Sequence, residues 1–288
     1  MSLRRLRTTA TGKAKAAMAE ETALKAEAPT KPPLWVFFQK AGKRPGFVVL
    51  GTDHIGRGTG GTSPAVLYAF CLGFCLQPVI AAWLWLWGGA ADIIGKDAPD
   101  DHELRGAISV AMLAWIALKN STNFLKNVGG RITIGIDSAI FVQVFIFSMQ
   151  FSTALVAHSF SEPPEWVPYL ALGIFMVFSP LEFLADEQLA AFCKAKQVPG
   201  YSGPKVMTKG LWSLTRHPNF VANTFYYSWG LILMSGTWWL STIFTVVFVA
   251  TYYLQAIPGH ELHMAKKYGG EWEEYVKTTP KYIPGFGH

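Results

Sequence analysis

Charge is scarce in this chain. Asp, Glu, Lys and Arg make up only 15% of its 288 residues, against about 25% in soluble domains. Together with a 51% hydrophobic content, this excludes a water-soluble surface over the whole molecule and indicates a membrane protein. Cysteine is rarer still. Of three, Cys71 and Cys75 share one apolar run, so there is no disulfide framework or metal-ligand spacing, and they read as helix-packing residues. The first 35 residues lack the apolar core of a secretory leader. The glycines of 56–61 lack the flanking strand and helix of a phosphate cradle. The net charge of +6 does not indicate nucleic acid, because the basic residues lie between apolar runs, where they act as topology signals and anion ligands.

What the chain does have is long apolar segments and interfacial aromatics. Eleven Trp and ten Tyr suit a protein with two water–lipid interfaces. Residues 1–35 form a solvated polar tail with Arg4, Arg5, Arg7, Lys13 and Lys15 ahead of any acid, and 36–63 form a pre-membrane loop. Six apolar segments follow, at 64–87, 106–118, 134–157, 167–184, 220–235 and 238–257. A spanning helix needs about 20 residues, so the second and fifth are short unless polar neighbours are included. The expected fold is an all-α integral membrane bundle of six or seven transmembrane helices over 64–288. Gly236-Thr237 forces a tight hairpin between the last two.

Loop charge orients the bundle. Lys119, Lys126 and Arg131 lie in one loop. Lys194, Lys196, Lys205, Lys209 and Arg216 lie in another, and Lys266, Lys267, Lys277 and Lys281 lie in the tail. The 159–166 loop has neither Lys nor Arg, and in 88–105 acids outnumber bases. Six spans with both termini cytosolic place every basic loop on one side. Inside the bundle, Asp137, Gln143 and Gln150 read as interhelical hydrogen-bonding residues.

The polar groups collect on the cytosolic side. Arg216, His217 and Asn219 surround Pro218 where the fifth segment begins, and such groups at the edge of hydrocarbon are costly unless they pair or bind something. Glu182, Asp186 and Gln188 precede them, and His260, Glu261, His263 and Tyr268 follow the sixth segment. This set suits a large anionic cofactor. Lys209 and Arg216 are candidates for phosphates, with Arg216 offering a bidentate fork. Asp186 and Glu182 are candidates for ribose hydroxyls, and Asn219 for an amide. His260, Glu261 and His263 lack the spacing of a helical metal site, so no metal is assigned.

Leu181-Glu-Phe-Leu-Ala-Asp-Glu-Gln188, then Gly210-Leu-Trp and Thr215-Arg-His-Pro-Asn-Phe220, then Glu261, Lys267-Tyr-Gly, Trp272, Tyr275, Pro280 and Ile283-Pro284, resemble the steroid 5-alpha-reductase-like membrane proteins. The resemblance is closest to their DUF1295 branch and is best over 170–288. It implies NADPH bound among the last helices on the cytosolic face, in contact with Asp186, Gln188, Lys209, Arg216, His217, Asn219, Asn223, His260 and Tyr268. The implied reaction is reduction of a carbon–carbon double bond in a steroid- or other lipid-like enone, with Tyr227 and Glu261 as candidate acids beside Tyr226. The implied location is the endoplasmic reticulum, with another organelle membrane as the alternative. Two departures stand out: Phe220 replaces a frequent Tyr, and Ala222-Asn223 replaces a usual Gly-Glu, which removes an ionisable group. Isoprenylcysteine carboxyl methyltransferases share the Arg-His-Pro element and bind S-adenosylmethionine, but their tail pairs an Arg with Glu-Glu, where this chain has Pro258-Gly259. A membrane methyltransferase and a non-catalytic lipid-binding member are the alternatives.

Overall fold

The computed structural model describes residues 64–126, 136–160 and 163–284. The expected N-terminal tail and pre-membrane loop lie outside the described residues, as do Arg131 and the side chains of Lys126 and Asp137. The described residues are helical, with no strand among them. Helix α1 is Pro64–Trp85, α2 Gly89–Ile94, α3 His102–Lys126, α4 Ile136–Ser159 and α5 Val167–Ala195. A 3₁₀ turn at Gly210–Ser213 leads into α6, Pro218–Phe225, which runs on as a π segment, Tyr226–Leu231, and a 3₁₀ turn, Ile232–Ser235. Helix α7, Trp238–Thr251, continues through a second π segment, Tyr252–Ala256, into α8, Ile257–Tyr268, and α9 is Gly270–Thr278.

Within the described residues, all six apolar segments are therefore helical over most of their length. Among the described residues, two helices are long and apolar enough to cross a membrane, at Tyr68–Trp85 and Val167–Ala195, and Trp238–Leu254 is a shorter apolar helix. Helix α3 carries Arg105 and Lys119 inside its length, and 218–235 changes helix type twice within 18 residues.

Packing places α1 against α3 and α4, and α5 against α6 and the first π segment. Phe74, Leu84, Trp85, Met112, Ile116, Met149, Tyr226 and Ile232 form the centre of the core. Gln143 donates to the Phe70 carbonyl at 3.0 Å, Gln77 donates to Gln143 at 2.9 Å, and Gln150 donates to Gln77. The two glutamines of α4 thus join α1 through side-chain amides, as expected. Gly73 makes room for this ladder, because a Cβ there would sit 2.5 Å from the Gln143 amide carbon. In the first turn of α3, buried Arg105 donates to the Met234 carbonyl at 3.1 Å and pairs with Asp101. Gly236 turns the chain with φ of +78° against Pro163, as its position between two apolar runs requires.

Both π segments have local causes. Pro258 has no N–H and its ring crowds the carbonyl four residues earlier, so the ladder shifts register just ahead of it. In the first, Thr224 bonds back to the Phe220 carbonyl at 3.0 Å and Ser228 to that of Thr224 at 2.5 Å, competing with the helical ladder. Tyr226 and Tyr252, the first residues of the two π segments, are buried in the core of the bundle.

Candidate active site

Two polar regions are built on the same pair of elements, α5 and α6. The inner one lies within the bundle. Lys119 of α3 forms an ion pair with Glu182 of α5. Its Nζ lies 3.4 Å from the Tyr226 hydroxyl and 4.8 Å from the centre of that ring. Asn223 donates to the Tyr226 oxygen at 2.9 Å and more weakly to Glu182 at 3.4 Å, and it accepts from the Tyr252 hydroxyl at 2.5 Å. One turn nearer the end of α5, Asn219 donates to Asp186 at 3.2 Å. Tyr227 stacks obliquely on Tyr226, 4.5 Å between centroids, and its hydroxyl interacts with the Tyr226 hydroxyl and the Asn120 side-chain amide. Phe220 lies flat on Tyr252 at 4.5 Å. Asn223, the departure from the usual Glu, is thus the amide that joins Glu182, Tyr226 and Tyr252.

The outer region is a clamp with a cavity beside it. Arg216 is buried at 3% exposure. Its Nε donates to Glu261 at 2.8 Å, and its Nη1 donates to the carbonyls of Val276 at 3.1 Å and Thr279 at 2.5 Å. Its backbone N–H donates to the Pro280 carbonyl at 2.9 Å. Tyr275 donates to the Trp212 carbonyl at 2.5 Å, and Tyr282 to that of Phe220 at 3.2 Å. These bonds strap the C-terminal segment across the start of α6. Burial pushes the Glu261 carboxyl up, but His217 and Arg216 facing it and the charges of Arg216 and Lys281 outweigh this and hold it at about 2. Glu261 is therefore ionised at neutral pH and has no proton to give, so its role shifts from acid to organiser. Burial is also the main force on the two imidazoles. It lowers His217, with Arg216 and Lys281 adding to the effect against Glu261, and it takes His260 down to about 4 with help from His217 and His263. Both rings are neutral at pH 7.

Next to this clamp is a cavity of about 340 Å³. Its walls include Arg216, His260 and Tyr268 from the expected set, and also Lys196, Lys205, Lys267, Phe192 and Trp212. Lys196 donates to the Tyr268 hydroxyl at 3.0 Å and lies 4.4 Å from its ring centre. The Tyr268 hydroxyl is made more acidic despite its burial, by hydrogen bonds from Lys196 and Lys267 and by their charges. The Nδ1 of His260 is buried without a hydrogen-bond partner.

The other expected residues are more dispersed. Gln188 accepts from the Leu211 N–H at 3.0 Å and so positions the loop ahead of α6. Lys209 is exposed just before the 3₁₀ turn. His217 stacks on Phe220 at 5.4 Å. Lys119 was expected as a loop charge, but it lies inside α3 with its side chain buried; Tyr252 was not singled out from the sequence, nor were the cavity lysines 196 and 267 beyond their charge. The available signal for Lys119 was its position: a lone cation directly after an apolar run whose helix does not end there.

With this geometry described, two comparisons with known proteins bear on its meaning. A family model described as "Protein of unknown function (DUF1295)" matches residues 122–279, just over half of the chain. The chain belongs to the DUF1295 family. The matched region takes in the cavity, the outer clamp except Pro280, Lys281 and Tyr282, and every inner residue except Lys119 and Asn120. The chain is also similar to the Delta(14)-sterol reductase ERG24 of Candida albicans, at 28% identity over 116 residues. That similarity covers 40% of this chain and a quarter of the relative's length. It agrees with the steroid 5-alpha-reductase-like character read from the motifs.

Proposed function

We propose that this protein is a membrane oxidoreductase that uses NADPH to reduce a carbon–carbon double bond in a sterol- or other lipid-like enone, in the endoplasmic reticulum. The observation that carries this reading is the arrangement along α5 and α6. Glu182 and Asn223 belong to the inner cluster, while Leu189 and Arg216 line the cavity. Glu182 and Leu189 are seven residues apart on α5, roughly 10 Å of helix, and Arg216 and Asn223 are seven residues apart across the start of α6, so one extended dinucleotide can reach both regions. Membership of the family and similarity to a sterol reductase support the reaction class.

The cavity residues fit the cofactor. Lys196, Lys205 and Lys267 supply cations for phosphates, and Phe192, Trp212 and Tyr268 supply aromatic faces. The unpartnered Nδ1 of His260 provides a polar contact. A volume of about 340 Å³ is near the small end of ligand sites and suits a nucleotide-sized part. When bound, NADPH supplies the hydride. Tyr226 holds the proton that completes the reduction, Asn223 and Tyr252 keep its oxygen oriented, and Tyr227 lies beside it as the neighbouring hydroxyl. The surrounding bundle excludes water, which strengthens each hydrogen bond to developing charge. The clamp of Arg216, Glu261 and Lys281 holds the tail so that His260 and Tyr268 remain on the cavity wall. In this reading the helices make six crossings with both termini cytosolic. A glycosylation reporter at 159–166 is then modified and one after 285 is not.

The decisive experiment is thermal stabilisation of purified protein in detergent by NADPH, NADH and S-adenosylmethionine, followed by NADPH oxidation with a steroid 4-en-3-one and with a sterol diene. Stabilisation by NADPH together with substrate-dependent oxidation is the expected outcome. Stabilisation by S-adenosylmethionine alone overturns the reductase in favour of a methyltransferase. No response to any of the three indicates a non-catalytic member.

A further inference from the structure

Lys119 stands outside both the sequence motifs and the family match, which begins at residue 122. Yet its side chain is only 2% exposed and lies at the centre of the inner cluster. A lysine there for structural reasons needs only Glu182, with which it is already paired. Its ammonium instead also faces the Tyr226 oxygen at 3.4 Å and lies over that ring at 4.8 Å. Asn223 approaches the same oxygen at 2.9 Å. Two N–H donors therefore converge on one phenol oxygen. The phenol's own proton must then point elsewhere, toward Tyr227 or toward a bound group. Two donors aimed at this oxygen are placed to stabilise negative charge as it develops there when the proton leaves. The other charged groups near this point are Glu182 and Asp186, both on α5.

We propose that Lys119 is a positioning residue of the reduction, the cation that makes Tyr226 a proton donor. The proposal rests on the reductase reading above. In the step, the Tyr226 O–H bond breaks and its proton forms a new C–H or O–H bond on the substrate carbon or oxygen that has gained negative charge. The electron pair of the O–H bond stays on the phenolate oxygen, next to the Lys119 ammonium and the Asn223 amide. The phenolate then takes a proton from Lys119 Nζ, and the amine recovers it from water when product leaves. The hydride, and with it both reducing electrons, comes from NADPH, so the substrate gains one hydride and one proton.

The test uses full-length protein with NADPH and the two probes named above, a steroid 4-en-3-one and a sterol diene. Removing Lys119 alone would leave Glu182 buried and uncompensated, which threatens the fold. The pair is therefore neutralised together as Lys119→Met/Glu182→Gln and compared with Tyr226→Phe and with the triple variant. Each is first checked for folding by its unfolding midpoint and for NADPH affinity. The expected result is kcat lowered about ten- to a hundredfold in the neutralised pair, the size of one lost contact to a charged group, with the NADPH Kd changed less than twofold. Because Lys119 acts through Tyr226, the triple variant should be no slower than Tyr226→Phe. A neutralised pair that keeps its kcat overturns the proposal and leaves the reductase reading intact. So does a triple variant that is slower than Tyr226→Phe by the full effect of the pair. If the unaltered protein turns over neither probe, the reductase reading falls and takes this proposal with it.

Discussion

The inner cluster and the outer clamp are made of similar chemistry: a buried cation, a carboxylate, neighbouring hydroxyls or imidazoles, and a start on the same helix α6. They differ in what is left over. In the clamp, Arg216 meets Glu261 and the carbonyls of Val276 and Thr279, so its Nε and Nη1 are committed within the protein. In the inner cluster, Lys119 and Asn223 both approach the Tyr226 oxygen, and Tyr252 donates to the Asn223 amide oxygen. A group whose bonded donors are met by fixed acceptors within the protein holds structure together. One with donors aimed at an oxygen that can lose its proton is placed to stabilise the charge that develops there. The Arg-His-Pro-Asn element is the most conspicuous motif in the chain, and its arginine behaves as the first kind.

That contrast can be broken or sharpened by substitution. Tyr226→Phe removes one oxygen from the inner cluster and should lower kcat by about 10²–10⁴, with NADPH affinity preserved. Turnover kinetics with the probe substrates check this, and equal losses in affinity would make Tyr226 a binding residue. Glu261→Ala in the clamp should act oppositely. It leaves Arg216 buried without its carboxylate, costing about 3–5 kcal/mol of stability. Denaturant unfolding in detergent measures this, and a loss below about 1 kcal/mol would mean that the clamp is not holding the tail.

The clamp should also set the acid limit of stability. Glu261 has a folded pKa of about 2, below its unfolded value near 4.3. Its contribution is thus fully present above the unfolded value and lost as pH falls through the folded one. Discounted for its partly exposed carboxylate, this amounts to on the order of 2 kcal/mol. His260, with a folded value of about 4, favours the neutral ring and begins to cost stability earlier, as pH falls below about 6.5. Unfolding midpoints should therefore drop from pH 6.5 downward. In Glu261→Gln, the part of the loss below about pH 4.5 should disappear.

Smaller effects belong to the cavity and the exposed tail. Lys267→Ala removes one cation from the cavity wall and should weaken NADPH about tenfold, near the low end for a charge-assisted contact. Lys277 pairs with Glu274 at 3.4 Å, both largely exposed, so Lys277→Ala should change stability and affinity by less than about 0.5 kcal/mol. Calorimetric titration with NADPH compares the two lysines. Equal responses would remove the cavity from the cofactor assignment.

How much of this was legible beforehand depends on the kind of interaction. The apolar runs predict helices at all six places, because hydrophobic patterning is local and survives without tertiary information. The hairpin at Gly236 and the glutamine links of α4 were legible for the same reason: each follows from what one residue type can do at one position. The π segments were not, since they arise from competition between the ladder, Ser/Thr back-bonding and Pro258. Clustering of Asp186, Asn219, Asn223 and Glu261 near one helix start was foreseen through motif resemblance. Which of them pair with each other was not.

By itself, then, the sequence determined a helical chain with membrane-protein character and membership of the DUF1295 family, because composition, periodicity and ordered motifs are properties of the linear chain. Only the tertiary structure decided that Arg216 fastens the tail and that Glu261 is a fixed carboxylate. The same holds for Lys119, which joins Glu182 and Tyr226 across 63 and 107 positions of sequence. The physical reason is that the role of a charged side chain is set by which opposite charges and acceptors lie within a few ångströms of it, and those neighbours come from distant segments brought together by packing.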